Sequence, residues 1–187
     1  MVIIAFGYKK MRGKDSSCNF LKDWLSLEKP DLKVKKLGFA DKLKDISFQL
    51  YGWSGLKPGD YYESHYNQKE VVLPLIGMSP REIWIGVGNK LREVYEDTWI
   101  KYALYGNVDA DVVLIKDLGY PNEGEAVIKA GGFCYRVDRP DQPDIATDGR
   151  EVSLDGWDGF CGIIKNVGTL RDLYADVINK VGVKHFS

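Results

Sequence analysis

The sequence predicts an α/β fold, a mainly parallel sheet with helices on both faces, and three observations carry that reading. Apolar runs of strand length alternate with segments of helical period along most of the chain. The first run, residues 2–6 (V-I-I-A-F), opens directly onto a glycine- and lysine-rich turn at 7–14, and a helical pattern follows. Three of the runs also end in residues suited to anions or metals: the 7–14 turn, Asp117 and Arg139. In open parallel sheets ligands sit at those carboxyl ends.

Taken in order, the first helix is expected over about 15–26, with Cys18, Leu21 and Leu25 on one stripe. Pro30 marks a linker, and V-K-K-L-G-F offers a weak second strand. Residues 41–51 place Leu43, Ile46, Ser47 and Leu50 at helical spacing, with Asp41 as N-cap and Gly52 as the stop. Residues 53–78 are rich in aromatics, glycine and polar groups, with little period. They read as a mobile excursion over a site, or as a connecting loop packed on its own tyrosines.

Ser79-Pro80-Arg81-Glu82 is a helix start with Ser as N-cap, Pro at the first position and Glu closing a capping box. Ile83, Trp84, Val87, Leu91 and Val94 follow on one face, and Gly86 and Gly88 permit close approach. A short helix over 97–105 comes next, apolar at Trp99, Ile100 and Ala103. The run D-V-V-L-I-K-D ends at Asp117, a Pro121-led helix stops at Gly131-Gly132, and F-C-Y-R-V leads to Asp138-Arg139-Pro140. Residues 141–160 read as a loop with D-G turns at 148–149 and 155–156. A strand near 162–165 and a helix capped by Thr169 complete the series. That helix carries Leu170, Leu173, Val177 and Val181 and is expected to stop at Gly182.

A chain of 187 residues can bury a full core as one domain, and 44% hydrophobic with 28% charged residues is ordinary for a soluble protein. A net charge of −1 provides no global field for nucleic acid or a membrane surface, so any anion site is local. Three cysteines stand far apart and the two histidines are isolated, which argues against a zinc site or a disulfide framework. No apolar run reaches membrane-spanning length, and 1–6 is too short for a signal peptide; a soluble, cytoplasmic protein is expected.

The chemistry centres on the first turn. Glycines let backbone N–H groups converge, the helix N-terminus adds its positive dipole end, and Lys14 supplies a mobile charge for a phosphate. The usual spacing is G-x-x-x-x-G-K-S/T. Here Gly7 and Gly13 enclose five residues, and Asp15 follows the lysine, leaving Ser16 or Ser17 for the hydroxyl role on Mg²⁺. The plainer alternative is an ordinary strand-to-helix turn with exposed lysines.

Six short motifs in order resemble the viral and phage deoxynucleoside monophosphate kinases, a branch of the P-loop kinases. They are G-K-D-S at 13–16, F-A-D-K-L-K at 39–44, S-P-R at 79–81 with Arg92 and Trp99 beyond, D-L-G-Y-P-N-E at 117–123, G-G at 131–132 and R-V-D-R-P at 136–140. The sequence departs from the family at Tyr8, where a glycine usually stands, and at Gly119, where an arginine does. The resemblance implies a three-layer P-loop kinase fold, one domain over 1–187, with a mobile lid-like or NMP-binding insertion. It implies transfer of the γ-phosphoryl group of ATP to a deoxynucleoside monophosphate, with Mg²⁺ as cofactor, in the host cytoplasm if the source is viral. No nucleic acid or membrane partner is expected, and a homodimer is left open.

The resemblance also implies roles. Lys14 is the cradle lysine and, with Arg81 and Asp117, catalytic. Gly7, Lys10, Arg12, Gly13, Lys14, Asp15, Ser16 and Arg139 surround ATP, and Ser16 and Asp117 hold Mg²⁺. Lys42, Lys44, Tyr51, Arg81, Arg92 and Trp99 receive the acceptor. Lys9, Lys10 and Arg12 read equally as a solvated basic face, Asp117 as a turn aspartate and Trp99 as core. Two alternatives to this function stay open: a P-loop kinase for another acceptor, such as a modified base or nucleoside, and a degenerate nucleotide-binding module without turnover.

Overall fold

Residues 1–106, 109–143 and 152–187 are described by a computed structural model; the D-G turn expected at 148–149 lies outside the described residues. The chain divides into two compact units, one formed by Met1–Gly38 with Asn107–Ser187 and the other by Phe39–Gly106.

The first unit is built on β1 (Val2–Gly7), the middle strand of a five-stranded parallel sheet. β2 (Val34–Leu37), β3 (Val112–Leu118), β4 (Phe133–Asp138) and β5 (Gly162–Lys165) complete it in the order β2-β3-β1-β4-β5. A glycine-containing turn and a helix follow the central strand of this sheet, the α/β arrangement with a parallel sheet that the sequence predicts. The central strands are covered on both faces, which is why they read as unbroken apolar runs. Ile4, Phe6, Leu114 and Val137 meet Cys18, Leu21 and Leu25 of α1 (Lys14–Glu28) on one face. Ile3 faces the other way, where it and Val127 of α6 (Pro121–Lys129) close around Gly132. Each of these large apolar side chains contributes roughly 1.5–3 kcal/mol by leaving water. The edge strand β2 carries Lys35 and Lys36, charges that discourage pairing with another sheet. Burial raises the thiols of Cys18 and Cys134 to about 12, so neither is a nucleophile near neutral pH.

The last helix differs from expectation. α7 (Leu170–Val177) begins at Thr169 as read, but Gly182 does not stop it. The chain passes through a π turn (Ile178–Gly182) into α8 (Val183–Phe186). Gly182 keeps ordinary helical angles, and a Cβ there would lie 3.1 Å from the Trp24 ring, so the glycine serves close packing on α1. The wider turn keeps Val181 and Phe186 on the core face, while Leu170 stays in solvent.

The second unit holds α2 (Asp41–Tyr51), α3 (Tyr61–Ser64), α4 (Pro80–Val94) and α5 (Thr98–Tyr105). Ala40 rather than Asp41 is the N-cap of α2, and Gly52 is helical; the chain runs on through a 3₁₀ turn to Gly55, whose φ of 97° ends it. Of the glycines in α4, Gly88 makes the close approach, with Leu43 of α2 against it. Val94 faces solvent instead of the core. Residues 53–78 show little period because their helical turns, Gly52–Ser54, Tyr61–Ser64 and Tyr66–Glu70, are too short to develop one. Tyr62 is buried there, edge-on to Tyr61 and to Trp84, while most of the stretch is exposed. Among the described residues no helix is long and apolar enough to cross a membrane.

Two capping boxes give the fold an acid limit. The Ser79 backbone N–H, then its hydroxyl, lowers the pKa of Glu82 from its ordinary 4.5, and Thr169 lowers Asp172 from 3.8 through its hydroxyl and then its backbone N–H. A carboxylate whose pKa is lower folded than unfolded stabilises above the unfolded value, and the contribution is lost as pH falls through the folded one. The melting temperature should therefore decline as pH drops below about 4.5. Replacing Glu82→Gln and Asp172→Asn together should flatten that decline in a melting series against pH; an unchanged slope would remove the caps from the acid response.

Candidate active site

The turn after β1, expected to cradle phosphate, has an unusual backbone. Gly7 is the last strand residue, buried against Leu118 and Phe160, so the loop begins at Tyr8 rather than at the expected Gly7. Tyr8 (φ 100°), Met11 (φ 58°) and Gly13 (φ 99°) all take positive φ. Counted from Tyr8 the spacing is regular: four residues, then Gly13 and Lys14. Tyrosine thus occupies the left-handed position that a glycine would fill without strain. The Lys14 ammonium donates to the Tyr8 carbonyl at 2.8 Å and to that of Lys9, folding over the loop at the N-terminus of α1.

The neighbouring basic residues are not a solvated face. Lys9 is buried and paired with Asp155 at 3.1 Å. Arg12 is buried, donating from its guanidinium to the Arg139 carbonyl at the end of β4. Asn166 donates to the Arg12 carbonyl at 3.0 Å and would clash with any Cβ on Gly13. Lys10 and Ser16 are half-buried, and Asp15 is exposed. Arg139 is half-exposed with Asp141 3.7 Å away.

Strand register brings Asp117 to the same end of the sheet. Leu118 pairs with Gly7, so half-buried Asp117 lies one residue inside the end of β3, next to the loop's origin. Gly119, in place of the family's arginine, is tied to the next helix: its N–H donates to Glu123 at 2.8 Å and its carbonyl accepts from Ser153. Ser16 and Asp117 offer hard oxygen donors, the type that Mg²⁺ takes alongside phosphate oxygens and water.

In the second unit, Arg81 donates from Nε to Glu70 at 2.5 Å. Among the described residues its two terminal nitrogens have no partner. Arg92 lays its guanidinium back over Gly88 of the same helix. Lys42 is paired with Asp45 at 2.5 Å, a bond that raises its pKa, and Lys44 lies 5.8 Å from the Trp84 ring. Tyr51 is half-buried. Trp99 corrects the expectation that it stacks on an acceptor: it is 3% exposed, and its indole N–H donates to the Gly88 carbonyl at 3.3 Å. An aromatic at helical spacing has gone to the core, the commoner fate.

Three residues of the first unit were not assigned roles from sequence. Lys9 was read only with the basic face, and Asn166 carried no signal. Arg136 lies inside R-V-D-R-P, where Arg139 drew the attention; its guanidinium carbon sits 3.8 Å from the centre of the Tyr8 ring.

No protein-family model matches the chain. It is 26% identical over 198 residues to a protein of Acanthamoeba polyphaga mimivirus named "Putative deoxynucleotide monophosphate kinase", covering 97% of this chain and 96% of the other. The chain is a distant homologue of that viral protein. The crystal structure of shikimate kinase from Aquifex aeolicus aligns over 98% of both chains at 12% identity with a TM-score of 0.42, too loose a likeness to add to the strand order. The resemblance drawn from the motifs is borne out as distant homology to that viral protein.

Proposed function

We propose that the protein transfers the γ-phosphoryl group of ATP to a deoxynucleoside monophosphate, giving dNDP and ADP. The observation that carries this is the loop after β1, with Lys14 folded over it and positive φ at Tyr8, Met11 and Gly13. The name of the distant viral homologue supports the choice of acceptor. In this reading Lys14 turns from the loop carbonyls to the donor phosphates, and backbone N–H groups of the loop and α1 stabilise their charge. Lys10 and Arg139 flank the nucleotide, and Arg12 holds the loop against β4. Ser16 and Asp117 would hold Mg²⁺, which when bound would supply positive charge to offset that of the phosphates. Arg81, helped by Arg92, grips the acceptor phosphate, and Lys42, Lys44 and Tyr51 of the same compact unit receive the rest of the acceptor. Residues 53–78 close over the acceptor to exclude water.

A coupled assay of ADP release against a panel of nucleoside monophosphates and free nucleosides tests the reading. Turnover is expected with at least one deoxynucleoside monophosphate and none with nucleosides, whose missing phosphate leaves the clamp unpaired. Good activity on nucleosides would favour the other-acceptor reading. A module that binds without turnover has one observation on its side, the tyrosine at the loop's first left-handed position; ATP binding with no ADP release from any acceptor would select it.

A further inference from the structure

The geometry points to Arg136 as a positioning residue that holds the phosphate loop through Tyr8. Arg136 lies on β4 opposite Gly7, the residue from which the loop departs. Its guanidinium carbon sits 3.8 Å from the centre of the Tyr8 ring, within cation–π range. Among the described residues its buried Nε has no hydrogen-bond partner, and one terminal nitrogen reaches Asp138 at 3.3 Å. An orphaned buried N–H has a cost, and facing the ring is what this arrangement gains in exchange. Tyr8 needs such a hold. At φ 100° a tyrosine backbone is strained, and nothing in its own conformational preference keeps it there. Its carbonyl is also an acceptor for Lys14, so displacement of Tyr8 would move the lysine's resting place. Arg136 therefore replaces, by holding a side chain through its guanidinium, the conformational freedom that a glycine would have supplied.

The inference rests on the nucleotide-binding reading of this loop, and a double-mutant cycle separates the two. Binding of Mg·ADP is measured by calorimetry for the wild type, Arg136→Gln, Tyr8→Gly and the double variant, with thermal melts beside them. Arg136→Gln is expected to weaken binding about tenfold in the tyrosine background and less than twofold in the glycine background, where there is no ring to hold. Arg136→Lys keeps the charge but loses the flat stacking plane, so it should follow Arg136→Gln. Equal losses in both backgrounds would mean that Arg136 acts on the nucleotide or on general folding, and would overturn the inference. No loss in either would overturn it too. Failure of the wild type to bind Mg·ADP would remove the nucleotide-loop reading itself, and the inference with it.

Discussion

Lys14→Ala is expected to lower kcat on the order of 10³-fold while the protein still folds. The ammonium donates to the carbonyls of Tyr8 and Lys9, so it already sits over the loop in which the proposed function puts the donor phosphates. Phosphoryl transfer asks little covalent work of a protein and depends on placed charge, so one missing cation accounts for several kcal/mol of barrier. Lys14 is half-buried at the first position of α1, and alanine is a good helix former, so the scaffold should tolerate the change. Steady-state kinetics beside a thermal melt is the measurement. A variant that melts normally and turns over within about tenfold of wild type would show that this loop is not the phosphate cradle.

The second large effect is expected at Arg81. Its Nε is held by Glu70 at 2.5 Å, which orients the guanidinium and leaves the two terminal nitrogens as a fork. A fork grips a phosphate with two parallel bonds, which a lysine ammonium cannot reproduce. A cation in the first turn of α4 also opposes the helix dipole, a local cost that an anionic ligand would offset. Arg81→Lys should raise KM for the deoxynucleoside monophosphate by roughly 10–100-fold and change KM for ATP less than about twofold. Varying the two substrates separately reads this out. A defect confined to ATP would move Arg81 out of the acceptor site.

Much of this was legible along the chain because it depends on neighbours in sequence. The capping boxes at Ser79 and Thr169 each span four consecutive residues, and both formed where their residues stand. The stripe of Cys18, Leu21 and Leu25 needs only the helical period, and all three are fully buried. The strand runs 2–6 and 112–115 are apolar because sheets buried on both faces demand it. The sequence by itself therefore determined the succession of strands and longer helices, and put the 7–14 turn and Asp117 at the ends of strands.

Contacts between distant residues decided the rest. Trp99 and an acceptor-stacking tryptophan look alike in sequence; the Gly88 carbonyl, eleven residues away, takes its N–H into the core. Arg12 reads as a surface cation until the Arg139 carbonyl, 127 residues on, accepts its guanidinium. Gly182 reads as a stop, and only the Trp24 ring explains why the helix passes it without a side chain. Tyr8 breaks the glycine pattern, and its strained backbone is intelligible once Arg136 of β4 is against its ring. Local preference selects an element, but the burial and partner of a polar or aromatic side chain follow from which strands lie adjacent, and that is settled only when the sheet assembles.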